Sequence, residues 1–273
     1  MGAPESAVLR LRSLLVLVLG CAALSGAAAR AQKEAFDQTH ARWSAVLAAC
    51  VRADGVDYAK LKADRAGLDA YLAALHAVTP EELSGWSDAQ RFAFWINAYN
   101  AHCVERALEA YPKSLRRLDG AFGMSTVFDK PFIPMRAHHP AGKDAELALN
   151  DIQDGILRKR FKDARVHAAL HNGSRSGPRL RGEAYTAERL DAQLTEQMRA
   201  FVNDPLRNHL DPAQKELALS EVFKWFAEDF EREAHSVQDY LVRYAPPADA
   251  EFVRGAKIRF LAYDWDLDVP SKD

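Results

Sequence analysis

The chain has 273 residues, with 36 Lys and Arg against 38 Asp and Glu, a formal net charge of −2. Apolar residues at 48% exclude a disordered tail, and without a basic excess the chain is no general nucleic-acid binder, because that affinity comes from counterions displaced by Lys and Arg. Three cysteines are too few for a disulfide scaffold, so the fold must rest on a hydrophobic core.

Residues 1–31 read as an export signal: Arg10 and Arg12 precede the apolar run Leu14–Leu19, and Ala29-Arg30-Ala31 offers a cleavage site between small residues. The expected destination is periplasmic or secreted. Val18-Leu19-Gly20-Cys21 gives a weaker alternative, lipoprotein anchoring at Cys21, with Leu19 a poor match two residues before the Cys. The run is too short to span a bilayer and no later segment approaches that length, so no membrane span is expected. Residues 32–273 then read as one globular domain.

Phe36, Trp43, Val46, Leu47 and Cys50 recur at helical spacing, and Leu68, Tyr71, Leu72 and Leu75 continue the stripe. Thr79-Pro80-Glu81-Glu82 and Ser87-Asp88-Ala89-Gln90 each combine a capping residue with Glu or Gln three positions on, a helix start. The second opens the most apolar helix, where Phe92, Phe94, Trp95, Ile96, Tyr99, Cys103, Val104 and Leu108 cover most of the circumference. Residues 132–135 and 146–149 read as extended, joined through Gly142, and Asn150-Asp151 starts a short helix ending near Leu157. Arg165–His171 reads as a buried strand and 172–178 as a Gly/Ser/Pro loop. Thr186 caps a helix bearing Leu190, Leu194, Met198 and Phe201. A strand at Leu217–Leu219, a helix after Ser220, a helical face at Val237–Tyr244 stopped by Pro246-Pro247, and a strand around Ile258 and Phe260 complete the chain. The sum is α+β: a helix-rich single domain with a small antiparallel sheet.

Several of these stretches carry a resemblance. Arg91–Asn100 (RFAFWINAYN), Asn150–Arg158 (NDIQDGILR), Arg165–His171 (RVHAALH), Leu180–Leu194 and Tyr263–Leu267 (YDWDL) resemble, in order and spacing, the landmarks of the domain of unknown function 547 family, from about residue 35 to the end. The resemblance implies an α+β fold related to papain-like cysteine enzymes. It also implies cysteines where Asn172 and Gly177 stand, an Asn at His171, and Glu and His at Gln153 and Asp154, so the candidate site is altered while the scaffold persists.

An amide cannot replace a thiolate, so the altered site reads as a degenerate one that binds without turnover. Cys103, deep in the apolar helix, and Cys50 read as core thiols. A hydrolase or acyl-transfer enzyme is the alternative, with His167 as base and Ser174 or Ser176 as nucleophile. Residues placed at a ligand are Asn97, Asn100, Asp154, His167, Asn172 and Arg179. The loop arginines Arg175, Arg179 and Arg181 suit a carboxylate or phosphate, so the expected ligand is small and anionic, or a peptide. Asn97 and Asn100, poor residues for a helix interior, are best explained as polar anchors pinning the central helix to a neighbouring segment. His167 and His171 on a strand would lie too far apart for one metal ion, and His138-His139 is a lone pair, so neither metal nor cofactor is expected. The five tryptophans read as core packing rather than a carbohydrate platform.

Overall fold

The most apolar stretch of sequence becomes the longest helix. In the computed structural model, which describes residues 35–120, 126–135 and 146–271, α5 runs from Asp88 to Ala110. Ser87 accepts from the Gln90 backbone N–H while the Gln90 side chain accepts from the Ser87 N–H, the reciprocal cap its sequence predicts. Its buried face holds Phe94, Ile96, Tyr99 and Cys103. Around it pack α1 (Ala41–Cys50), α2 (Tyr58–Ala63) and α3 (Ala66–Ala77), with α4 (Pro80–Ser84) capped by Thr79. A two-stranded antiparallel ribbon, β1 (Val51–Arg52) and β2 (Gly55–Val56), joins α1 to α2.

Ile133 and Leu147 bridge antiparallel, matching the two extended segments expected there. The Gly142 connection and His138-His139 lie outside the described residues. Asp151–Leu157 is wound as a π-helix, Arg158 donating to the Gln153 carbonyl, and continues as α6 (Arg158–Arg160). Asn150 does not cap it; its amide donates to Asp129 instead.

The run Arg165–His171 is not a strand. Val166–Ala169 form one helical turn, α7, and only Leu170 is extended. A short apolar run fits either state by periodicity, and Ala168-Ala169 tip it toward helix. Likewise Thr186 caps nothing: α8 (Leu190–Val202) begins after a turn and has Arg189 at its start.

The C-terminal part folds around β3 (His209–Asp211), β4 (Glu216–Leu219) and β5 (Lys257–Phe260). β3 and β4 pair antiparallel, and β5 lies parallel to β4, Leu217 facing Ile258. A parallel neighbour needs a long crossover, and α9 (Val222–Trp225), α10 (Ala227–Glu233), α11 (Val237–Val242) and α12 (Ala250–Gly255) supply it. The domain is thus helix-rich with small sheets, as expected, the β4–β5 pair being the parallel exception. Two hydrophobic clusters result. One surrounds α5; the other joins Met198, Phe223, Phe230 and Tyr240 under the sheet. Among the described residues no helix is long and apolar enough to cross a membrane.

Candidate functional site

A cleft of about 240 Å³ opens between the two clusters. Its apolar wall is Tyr99 from α5, Phe128, Trp225, Phe226 and Trp265. Its polar wall is Asn150 and Gln153 from the π-helical segment, His167 from α7, and Asn172 from the loop that follows. A π-helical turn is a common device for re-aiming a side chain at a site, and here Gln153 reaches the cleft.

His167 is 3% exposed and sits on α7. One ring face stacks on Phe226, with centroids 3.9 Å apart. Nε2 lies 2.7 Å from Asp229 Oδ2, and Asp229 also accepts from Arg158 Nε at 2.6 Å and Arg232 Nη1 at 2.7 Å. Burial pushes the His167 pKa down, while its own hydrogen bond to Asp229 works against that. For Asp229, burial pushes upward, but the hydrogen bonds from His167, Arg158 and Arg232 hold its carboxyl well below the usual carboxylate range. The pair is therefore a neutral imidazole donating Nε2–H to a carboxylate. Nδ1 is left as a bare acceptor, and it has no partner.

Asn172 lines the same cleft. Its Nδ2 donates to the Tyr263 hydroxyl at 2.6 Å, and its Oδ1 accepts from Ser174 Oγ at 2.6 Å. A Cβ on residue 177 would meet Asn172 Oδ1 at 2.2 Å, so the amide occupies the space a side chain at Gly177 would need. The two positions where the resembled family carries cysteines are thus neighbours, altered as a matched pair. Gly173 between them has φ +79°, a left-handed conformation that favours glycine.

The remaining expectations divide. Asn97 and Asn100 are buried beneath the site and hydrogen-bonded only to backbone, the anchoring role the sequence suggests; they do not line the cleft. Asp154 points away and pairs with Arg158 at 3.0 Å. Arg179 pairs with Asp204 at 2.9 Å and lines a separate cavity with Arg207 and Asp268, so it faces acids rather than an anionic ligand at the cleft. Arg181 is likewise committed, to Glu183 and Glu196. Neither serine meets His167: Ser174 Oγ is held by Asn172 and Tyr263, and Ser176 Oγ accepts from the Asp264 N–H. His171 lies past the end of α7, with Nδ1 on the Pro178 carbonyl and Nε2 against the Tyr58 hydroxyl, so it does not converge with His167. Among the described residues no three metal-ligating side chains converge.

Sequence reasoning missed Asp229 and the aromatic wall. Asp229 is one carboxylate among many, 62 residues from its histidine. Trp225 is 40% exposed rather than packed in the core, and no periodicity could have told it from Trp43 or Trp95, which are buried.

Cys50 and Cys103 are free and buried. Burial pushes the Cys50 thiol up to about 11 and the Cys103 thiol further. Neither should react with Ellman's reagent in the folded protein, and both should appear within seconds of adding denaturant; a fast-reacting thiol at either position in native buffer would contradict this burial.

The chain is therefore a helix-rich α+β domain with an aromatic cleft floored by a buried His–carboxylate pair, in which neither Cys50 nor Cys103 takes part. A model of the family described as "Protein of unknown function, DUF547" matches residues 83–202 and supports assignment to the domain of unknown function 547 family. His167 and Asn172 fall inside that match; Trp225, Phe226, Asp229 and Trp265 lie beyond it. No curated protein and no solved structure matches the chain.

Proposed function

We propose that this chain is an exported, non-catalytic binding protein whose cleft descends from a papain-like cysteine site. The observation that carries the reading is the pair of neutral amides, Asn172 and Gln153, lining the same cleft as His167, whose Nδ1 has no partner. The family resemblance implies a cysteine and a glutamate at those two positions. Replacing both removes the nucleophile and the charge but retains hydrogen-bonding shape, which favours affinity over turnover. The aliphatic hydroxyl at the cleft, on Thr126, is engaged by Asp129 at 2.7 Å. Export follows from residues 1–31, which lie outside the described residues; a mass spectrum of the mature N-terminus tests it, a chain starting near Gln32 being the expected result.

One observation favours a second reading, hydrolysis or acyl transfer: a base oriented by a buried carboxylate is a working catalytic arrangement. The two separate on an activity screen over peptides, esters and amides. The binding reading expects no turnover above buffer. Turnover that disappears in His167→Ala and persists in a distant surface variant would establish the enzyme instead.

A further inference from the structure

The cleft's lining specifies its ligand more narrowly than the binding reading requires. Among the described residues, Trp225 and Leu206 are the large apolar side chains left exposed, and Trp225 lines the cleft. It stacks on Trp265, with centroids 5.7 Å apart and planes 18° from parallel, and Tyr263 packs 4.6 Å from each. These rings make a broad platform with one open indole.

Charge narrows the choice. Among the described residues no charged side chain lines the cleft. An anion would find no uncommitted cation among them, since the nearby Arg158 is committed to Asp154 and Asp229. A cation would find no carboxylate among the described lining residues, and two of the rings already carry a guanidinium, Arg158 5.1 Å from the Phe226 centroid and Arg116 5.4 Å from that of Trp265. A purely apolar ring would leave the Gln153 amide, which hydrogen-bonds to no described residue, dry and unpaired. The ligand must then be neutral, present an apolar face, and carry O–H or N–H donors on its rim. The volume of about 240 Å³ admits one ring, being below the roughly 300–1,000 Å³ of whole-ligand pockets.

We infer that the cleft binds one pyranose unit of a neutral carbohydrate, its C–H face on Trp225 and its rim pairing with Gln153. The inference rests on the binding reading and narrows it. It also assigns Trp225 the platform role that the sequence pattern alone had argued against.

The test is titration of the full chain with cellobiose, the disaccharide of N-acetylglucosamine and methyl glucoside, followed by ligand-observed NMR. Tetramethylammonium and a tyrosine-containing dipeptide serve as competing chemistries. At ordinary ligand efficiency a single ring should bind at about 1 mM. Trp225→Ala should weaken binding about tenfold or more, Trp225→Phe less, and Gln153→Ala several-fold with little loss of thermal stability, because the Gln153 amide bonds to no described residue. Arg179→Ala, in the other cavity, should change nothing. No saturable binding of any saccharide up to about 50 mM would overturn the inference, as would binding that both Trp225→Ala and Gln153→Ala leave intact. Binding of the ammonium or the dipeptide alone would overturn the carbohydrate while sparing the binding reading; that reading falls separately, on turnover in the activity screen.

Discussion

Lowering the pH from 7 to 5 should markedly destabilise this protein, through histidines rather than carboxylates. Five histidines, His40, His76, His102, His167 and His171, sit in the structure with pKa values pushed down, in each case chiefly by burial. His40 falls to about 4, with Tyr71 on its Nδ1 at 2.7 Å and no partner on Nε2. His76 also falls to about 4; its Nε2 lies 3.3 Å from that of His102, so the two resist a shared charge. The unfolded chain takes up these protons near 6.5, and the folded chain refuses them. Stability is therefore complete above about pH 6.5 and is lost as the pH falls below it. His40 alone lowers stability by about 1.4 kcal/mol per pH unit, about 3 kcal/mol by pH 4, and the partly exposed His76 adds a smaller amount because solvent screens its charge. His102, His167 and His171 act in the same direction, offset in part by Glu105 beside His102 and Asp229 beside His167. Against a usual total of about 5–15 kcal/mol, that is a large fraction of the fold's stability, lost progressively between about pH 6.5 and pH 4. Thermal midpoints should drop by about 5–10 °C per pH unit from the first two histidines alone, and His40→Gln should flatten the slope by one proton. A midpoint constant within a few degrees from pH 8 to 5 would mean these imidazoles are not buried neutral.

How much of this was legible in the sequence depends on the range of the interaction. Local signals read well: the caps at Thr79 and Ser87 and the all-round apolar character of α5 are near-neighbour physics, and both form as expected. The anchoring asparagines were legible for a different reason, since a polar residue at odds with its helix must find a partner elsewhere. Arg165–His171 failed because a run of four or five apolar residues cannot distinguish a buried strand from a buried helical turn. The parallel placement of β5 depends on where four helices carry the chain, which no strand pattern records. The cleft was half legible. His167 and Asn172 follow from the altered motif, whereas Trp225 and Asp229 join them only through the fold, and their exposure and pairing have no sequence correlate. The loop arginines misled because charge density was visible and the acids Asp204, Glu183 and Glu196 that satisfy it were not.

Asn100→Ala should lower both stability and cleft binding, while Asn97→Ala should lower stability alone. Both amides are buried and both grip backbone. Asn97 donates to the Tyr185 carbonyl at 2.7 Å and accepts from the Tyr185 N–H at 3.0 Å, closing a two-bond clamp on a single residue. Asn100 donates to the Ala169 carbonyl at 2.9 Å and accepts from the His171 N–H at 2.8 Å, so it holds the chain on either side of Leu170. Truncating either side chain strands two buried backbone groups at about 1–3 kcal/mol each, for a total of about 3–4 kcal/mol and a fall of about 10 °C in thermal midpoint. The isosteric Asn100→Asp keeps the acceptor for His171 but sets a carboxylate against the Ala169 carbonyl, so it should destabilise at least as much as alanine; a neutral outcome would show that shape rather than donation matters there. The clamps differ in what they position. Residues 169–171 connect His167 on α7 to Asn172 in the loop, so releasing them changes the spacing of these two residues on the cleft's polar wall. Tyr185 touches neither wall. Cleft affinity measured well below each variant's melting temperature, with the saccharide titration as readout, separates the effects: a loss in Asn100→Ala with retention in Asn97→Ala is the expected pattern, and equal losses would reduce Asn100 to a stability element like its neighbour one turn away.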